Sequence, residues 1–164
     1  MLLAAPAAGQ MQTPACARVS DDNLPPDLAQ WAAAAVPVAA AAGPGQAVPA
    51  LAPGQRATIA LQPAASVTLI MPPEQERTPD APHAGLVSVA IPSTGSWRVS
   101  ASKGLWIDVL AGGRTRVAST AFGPLAPCTS IHKVVEFPLA AGDYVIQLSG
   151  NPGASVDLMV SRKP

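Results

Sequence analysis

The stretch Trp97-Arg98-Val99-Ser100-Ala101-Ser102-Lys103-Gly104-Leu105-Trp106-Ile107-Asp108-Val109-Leu110-Ala111-Gly112-Gly113 decides how the rest of the chain is read. Trp97, Val99 and Ala101 alternate with Arg98 and Ser100. That period of two puts apolar side chains on one face of a strand and polar ones on the other. Lys103-Gly104 breaks the run, and Leu105 to Leu110 begins another. Ala111-Gly112-Gly113 is a hairpin signal, because tight turns need backbone angles that glycine adopts freely.

The same rhythm spreads outward in both directions. Upstream, Ala57, Ile59 and Leu61 alternate with Thr58 and Ala60, and Val67, Leu69 and Met71 follow after Pro63. A polar loop from 72 to 83 leads to a strand from Leu86 to Ile91, and Pro92-Ser93-Thr94-Gly95 turns into the quoted stretch. Downstream, Arg114 to Ser119 returns, and a loop with Phe122, Gly123, Pro124, Pro127 and Cys128 precedes a strand from Ile131 to Phe137. Tyr144 to Leu148 and Val156 to Val160 close the chain. About nine short strands spaced near ten residues apart predict an all-β fold, an antiparallel, jelly-roll-like β-sandwich, over 55–164. A unit of that size buries enough apolar surface to fold alone.

The N-terminal third reads differently. Residues 1–9 have the small residues Ala7 and Gly9 ahead of Gln10, as in the tail of a secretory signal peptide, and this predicts export to the periplasm or beyond. Residues 10–54 read as an irregular arm followed by an Ala/Pro-rich linker. Within it Asp27 is expected to cap a helical turn from Leu28 to Ala34, with Trp31 packed on the domain. Cys16 and Cys128 fit one disulfide pinning the arm. Two other uses of these residues stay open: free thiols, and a metal site in which Cys128 joins His132, four positions on. The 164 residues carry ten basic and ten acidic side chains with no basic stripe, which argues against a nucleic-acid partner. No run approaches the roughly 18 apolar residues that a membrane-spanning helix needs.

Ile91-Pro92-Ser93-Thr94-Gly95-Ser96-Trp97-Arg98-Val99 has an echo in Phe137-Pro138-Leu139-Ala140-Ala141-Gly142-Asp143-Tyr144-Val145-Ile146. Each places Pro and Gly in a turn and an aromatic two residues into the next strand, the glycine supplying a backbone angle other residues resist. The segment Gly142-Asp143-Tyr144-Val145-Ile146-Gln147-Leu148, followed by Val156-Asp157-Leu158-Met159-Val160, resembles the end of bacterial pre-peptidase C-terminal domains. That resemblance covers about the last 70 residues and implies a jelly-roll-like sandwich appended to secreted enzymes. The chain is also similar to small exported bacterial proteins labelled homogentisate 1,2-dioxygenase. That enzyme family is longer and holds iron on two histidines and a glutamate in a cupin core.

A mononuclear iron site needs clustered imidazoles and carboxylates. Only His83 and His132 are present, with Glu74, Glu76 or Glu136 as carboxylates, so a transition metal is the lesser expectation and no cofactor the leading one. There is no Gly-x-Ser-x-Gly elbow and no glycine-rich loop followed by a lysine and a helix. Met71 and Met159 fit the alternation as core. Trp97 and Trp106 are expected on neighbouring strands. Trp97 shares its face with Val99 and Ala101, which reads as core, whereas Trp106 shares its face with Asp108 and Leu110. Asp108 is expected on the wet face, or else paired with Arg98 or Lys133 if that face is buried. Trp106, Asp108 and Arg98 are thus the candidate ligand-binding residues, and His83 and His132 the candidate metal ligands. The function expected is a non-catalytic exported binding or accessory domain with an unidentified protein or glycan partner. A periplasmic metal-binding protein is the alternative.

Overall fold

The structure, a computed structural model, describes residues 15–123 and 127–164. The leader reading of 1–9, the first residues of the arm and Pro124 of the loop lie outside them. Among the described residues there are twelve strands: β1 (Val36–Ala39), β2 (Ala50–Leu51), β3 (Ala57–Ala60), β4 (Gln62–Pro63), β5 (His83–Ile91), β6 (Gly95–Ala101), β7 (Trp106–Ala111), β8 (Thr115–Arg116), β9 (Ala121–Gly123), β10 (Lys133–Leu139), β11 (Gly142–Asn151) and β12 (Ser155–Arg162). They form two sheets, ordered β1-β3-β12-β6-β10-β9 and β2-β5-β11-β7-β8, with β4 also on β5. This is the expected all-β sandwich. The sheets are mixed rather than purely antiparallel, because β1 runs parallel to β3 and β2 parallel to β5.

Period two sorts the side chains as the alternation requires. Trp97, Val99 and Ala101 of β6, Val135, Phe137 and Leu139 of β10 and Val156, Leu158 and Val160 of β12 point into the layer between the sheets. Val87, Val89 and Ile91 of β5, Ile107 and Val109 of β7, and Tyr144, Ile146 and Leu148 of β11 meet them from the second sheet. Trp97 lies opposite Phe137 across the β6–β10 pair, giving that pair an aromatic contact.

The echoed segments are two of the places where the chain crosses between sheets. β5 leads across residues 92–94 into β6, and β10 leads across 140–141 into β11. Each aromatic anchors its own crossing: the Trp97 indole N–H donates to Ser93 O (3.1 Å) and the Tyr144 hydroxyl to Ala140 O (2.8 Å). Ala141 N–H donates to Thr94 Oγ1 (3.2 Å), joining the crossings. The two glycines serve different ends. Gly142 has φ +150°, the freedom expected of it. Gly95 has no such angle. A side chain there would meet the Arg162 guanidinium at 3.2 Å, so its role is room.

Several expectations are corrected. Residues 36–54 are not only linker, for they supply β1 and β2 at the two sheet edges. Val67–Met71 forms no strand. A 3-10 turn at Ala64–Ser66 precedes it, and the Gln147 amide then substitutes for a strand partner. Its Oε1 accepts from Ile70 N–H (2.9 Å) and its Nε2 donates to Met71 O (2.9 Å). Met71 is accordingly half-buried, whereas Met159 is fully buried. Trp97 and Trp106 lie on strands of opposite sheets, because the β6–β7 connection changes layer.

The arm is a 3-10 helix, Pro26–Ala32, that begins after Pro25 without a side-chain cap. Asp27 instead forms an ion pair with Arg98. Leu28 and Trp31 pack on Ile131, Val134 and Met159, a second apolar cluster on the outer side of the first sheet. Polar contacts frame it. The Trp31 indole N–H donates to Ser130 Oγ (2.7 Å), and Asp21 accepts from Ser130 N–H (2.7 Å). Arg56 lies 4.9 Å over the Trp31 ring and pairs with Asp157. The Cys16–Cys128 disulfide closes the arrangement across 112 residues. Arg98 also pairs with Glu136, whose carboxyl is held below the usual carboxylate range by its hydrogen bond from Lys163, against the opposing effect of burial and with further help from Arg98.

Two outcomes are expected. Trp31→Ala, which empties the cluster and removes the indole donor to Ser130 Oγ, lowers unfolding free energy by about 3–5 kcal/mol in urea titrations. Opening the disulfide by Cys16→Ser with Cys128→Ser costs roughly 2–5 kcal/mol in the same measurement.

Candidate functional site

A cleft of about 330 Å³ opens at one edge of the sandwich, between β7 of the second sheet and β9–β10 of the first. That size falls at the low end of the range for small-molecule sites. Its deep wall is the end of the inter-sheet layer, Ile107, Val135 and Phe137. Val117 and Phe122 form the edge wall, and Phe122 is 82% exposed on β9. An apolar ring that open to water is the exception on this surface, since the only other large exposed apolar side chain among the described residues is Val19.

The polar side of the cleft follows from strand phase. Lys133 opens β10 in the same phase as Val135 and Phe137, so its side chain projects at the mouth of the apolar layer. The Lys133 ammonium donates to Leu105 O (2.8 Å) and lies 4.8 Å over the Trp106 ring. Burial holds this ammonium below the ordinary lysine range. The Arg77 charge pushes the same way, and Asp108 offsets part of the effect. Trp106, half-buried at the start of β7, donates its indole N–H to Asp108 Oδ1 (3.0 Å).

Asp108 is not on a wet face. It is 2% exposed and bound by Arg116 Nε (3.0 Å), by the Trp106 indole and, at 3.4 Å, by Gln147 Nε2. The face is dry because the segment pinned by Gln147 lies over it. Arg116, rather than Arg98 or Lys133, is its ion-pair partner.

The structure therefore brings Trp106, Asp108 and His132 to one cleft and leaves Arg98 and His83 elsewhere. Arg98 is spent on Asp27 and Glu136 at the outer side of the first sheet. His83 starts β5, and its Nδ1–H donates to Ala81 O (2.8 Å). Cys128 is in the disulfide, which removes the reading in which its thiolate joins His132 on a metal. Among the described residues no three His, Cys, Asp or Glu side chains cluster as metal ligands. Trp97 is interior, so the two tryptophans do not form a shared stacking surface.

Sequence reasoning missed Arg77, Arg116 and Phe122. Their one signal was position in turn-rich segments, which does not say where a loop folds back. Arg77 is placed by glycines. Gly150, at φ +63° beside the β11 irregularity, leaves room where a side chain would meet Arg77 Cβ at 2.5 Å. At the other end, a methyl group on Gly104 would lie 3.2 Å from His132 Nε2 and 3.8 Å from a terminal nitrogen of Arg77.

The fold and site define a two-sheet β-sandwich with a half-apolar cleft at its open edge. No protein family, no curated protein and no solved structure matches the chain.

Removing the Asp108 carboxylate by Asp108→Ala takes an acceptor from Arg116 and Gln147 and leaves the Trp106 indole N–H without its partner. It is expected to cost about 2–4 kcal/mol of stability in denaturant titrations. Lys133 gives an alkaline signature. Its folded-state value lies below the unfolded one, so the unfolded chain binds more protons between them and stability rises with pH across that interval. The stability of the wild type relative to Lys133→Met is expected to improve from neutral pH into the ordinary lysine range.

Proposed function

We propose that this chain is a non-catalytic exported binding or accessory domain, and that it takes its ligand in the edge cleft beside Trp106. The observation that carries the reading is the conjunction of an open apolar wall, with Phe122 exposed, and cationic groups at the same mouth. The groups best suited to acid–base work are committed to structure: Asp108 to three donors and Glu136 to two cations. A disulfide spanning 112 residues fits an oxidising compartment, and no helix among the described residues is long and apolar enough to cross a membrane. The likeness of 142–160 to pre-peptidase C-terminal domains is in keeping with an accessory role beside a secreted enzyme.

A small molecule fits better than a glycan. Sugar stacking uses a free aromatic face, and Trp106 has Lys133 over one face and its N–H tied to Asp108.

The test is a thermal-shift screen of organic acids, neutral apolar molecules, oligosaccharides and peptides, followed by amide NMR on any stabilising compound. Expected are hits that move the Trp106 indole and the Gly104 and Gly123 amide signals and that vanish in Trp106→Ala. Hits that map only to other surfaces would overturn the assignment of this cleft.

A further inference from the structure

Two cations meet at the cleft without a carboxylate bonded to either. Among the described residues Lys133 has one acceptor, the Leu105 carbonyl, for its three donors. Arg77 makes no hydrogen bond or ion pair among the described residues, although a guanidinium presents five donors. The nearby acids bond to neither cation, and the Asp108 charge offsets only part of the effect on Lys133. Asp108 is bonded to Arg116, Trp106 and Gln147, and Glu74, on the rim, bonds neither cation. The mutual repulsion is felt, since the Arg77 charge helps hold Lys133 below its ordinary range.

The arrangement is built rather than accidental in its geometry. The segment carrying Arg77 is fixed upstream by Gln147 at Ile70 and Met71 and by Arg116 at Pro72 O. Gly150 clears the root of the Arg77 side chain, and Gly104 clears the space where its tip and His132 Nε2 converge. Nitrogen groups from two separate segments, the loop carrying Arg77 and the start of β10 with His132 and Lys133, thus surround one end of a slot whose other end is apolar.

Resting on the reading of this cleft as a binding site, we infer that its ligand is an amphipathic monoanion. Its carboxylate-type head sits among Arg77, Lys133 and His132, and its apolar body lies between the sheet edges against Val117, Phe122, Val135 and Phe137. The head supplies the counter-charge the two cations lack, and charge-assisted bonds to Arg and Lys are the stronger kind. The body covers Phe122, the ring now open to water, and extends the apolar layer between the sheets. The cations gain most from an anion here because one wall of the site is dry.

Decanoate, decanol and decyltrimethylammonium test this on the disulfide-intact protein, below their aggregation concentrations and at low salt. Tryptophan fluorescence follows binding, as Trp106 is the one tryptophan at the cleft, and equilibrium dialysis confirms it. Decanoate is expected to bind roughly tenfold or more tightly than decanol, with an affinity that falls as salt rises. Arg77→Gln, on an exposed loop, is expected to remove most of that preference and leave decanol binding unchanged. Equal affinity for decanoate and decanol, abolished by Phe122→Ser, would sink the anion assignment while leaving the cleft as a site. Tighter binding of the cationic chain, or a decanoate preference untouched by Arg77→Gln, would also sink it. Binding of none of the three would remove both the anion assignment and the cleft reading.

Discussion

Strands β6 and β10 pair in one sheet, while β5, which precedes β6, and β11, which follows β10, pair in the other. Two crossings therefore sit side by side and lock the sheets face to face. Neither sheet can be peeled away without breaking the other's register. The lock depends on period-two burial, because a shift by one residue would turn Val99, Phe137, Ile146 and Val89 out to water. It also depends on the crossings being tight, which is what Trp97 and Tyr144 secure by bonding the carbonyl four residues back.

With the inner faces committed, the outer faces are handled by segments that are not strands. The N-terminal helix covers the first sheet, where Val134 and Met159 point outward and need a lid. Trp31 and Leu28 provide it, and the disulfide and the ion pairs of Arg56 and Arg98 hold the lid in register. Over the second sheet, the chain near 70–77 is held by Gln147 and Arg116. Burying Asp108 under that cover would be costly if it were alone; three donors make it tolerable. The cleft is what this scheme leaves open at one edge, and the same cover that dries Asp108 delivers Arg77 to its rim.

The sandwich, its approximate strands, the buried Trp97 and the docking of Trp31 were all legible, because alternation and turn residues act locally. The pairing of Cys16 with Cys128 was legible for a different reason, there being only two thiols to pair. Half of the site was legible too. Trp106 and Asp108 stood out because an indole and a carboxylate share one face of an otherwise apolar strand. Arg98 stood out for the same local reason, yet it belongs to the other sheet and to a structural ion pair. Nothing in the alternation of β6 distinguishes an arginine facing a lid from one facing a ligand.

By itself, then, the sequence determined which faces of its strands turn into the layer between the sheets and where the chain turns, since both follow from side-chain hydropathy and backbone sterics over a few residues. It did not determine which sheet each strand joins, what lies over each outer face, or that Arg77, His132 and Lys133 converge. Those outcomes depend on contacts between segments far apart in the chain, such as 70–71 on Gln147 and 77 on Gly150. Only the tertiary structure decided them, because charge repulsion and glycine clearance act through space and leave no periodic mark along the chain.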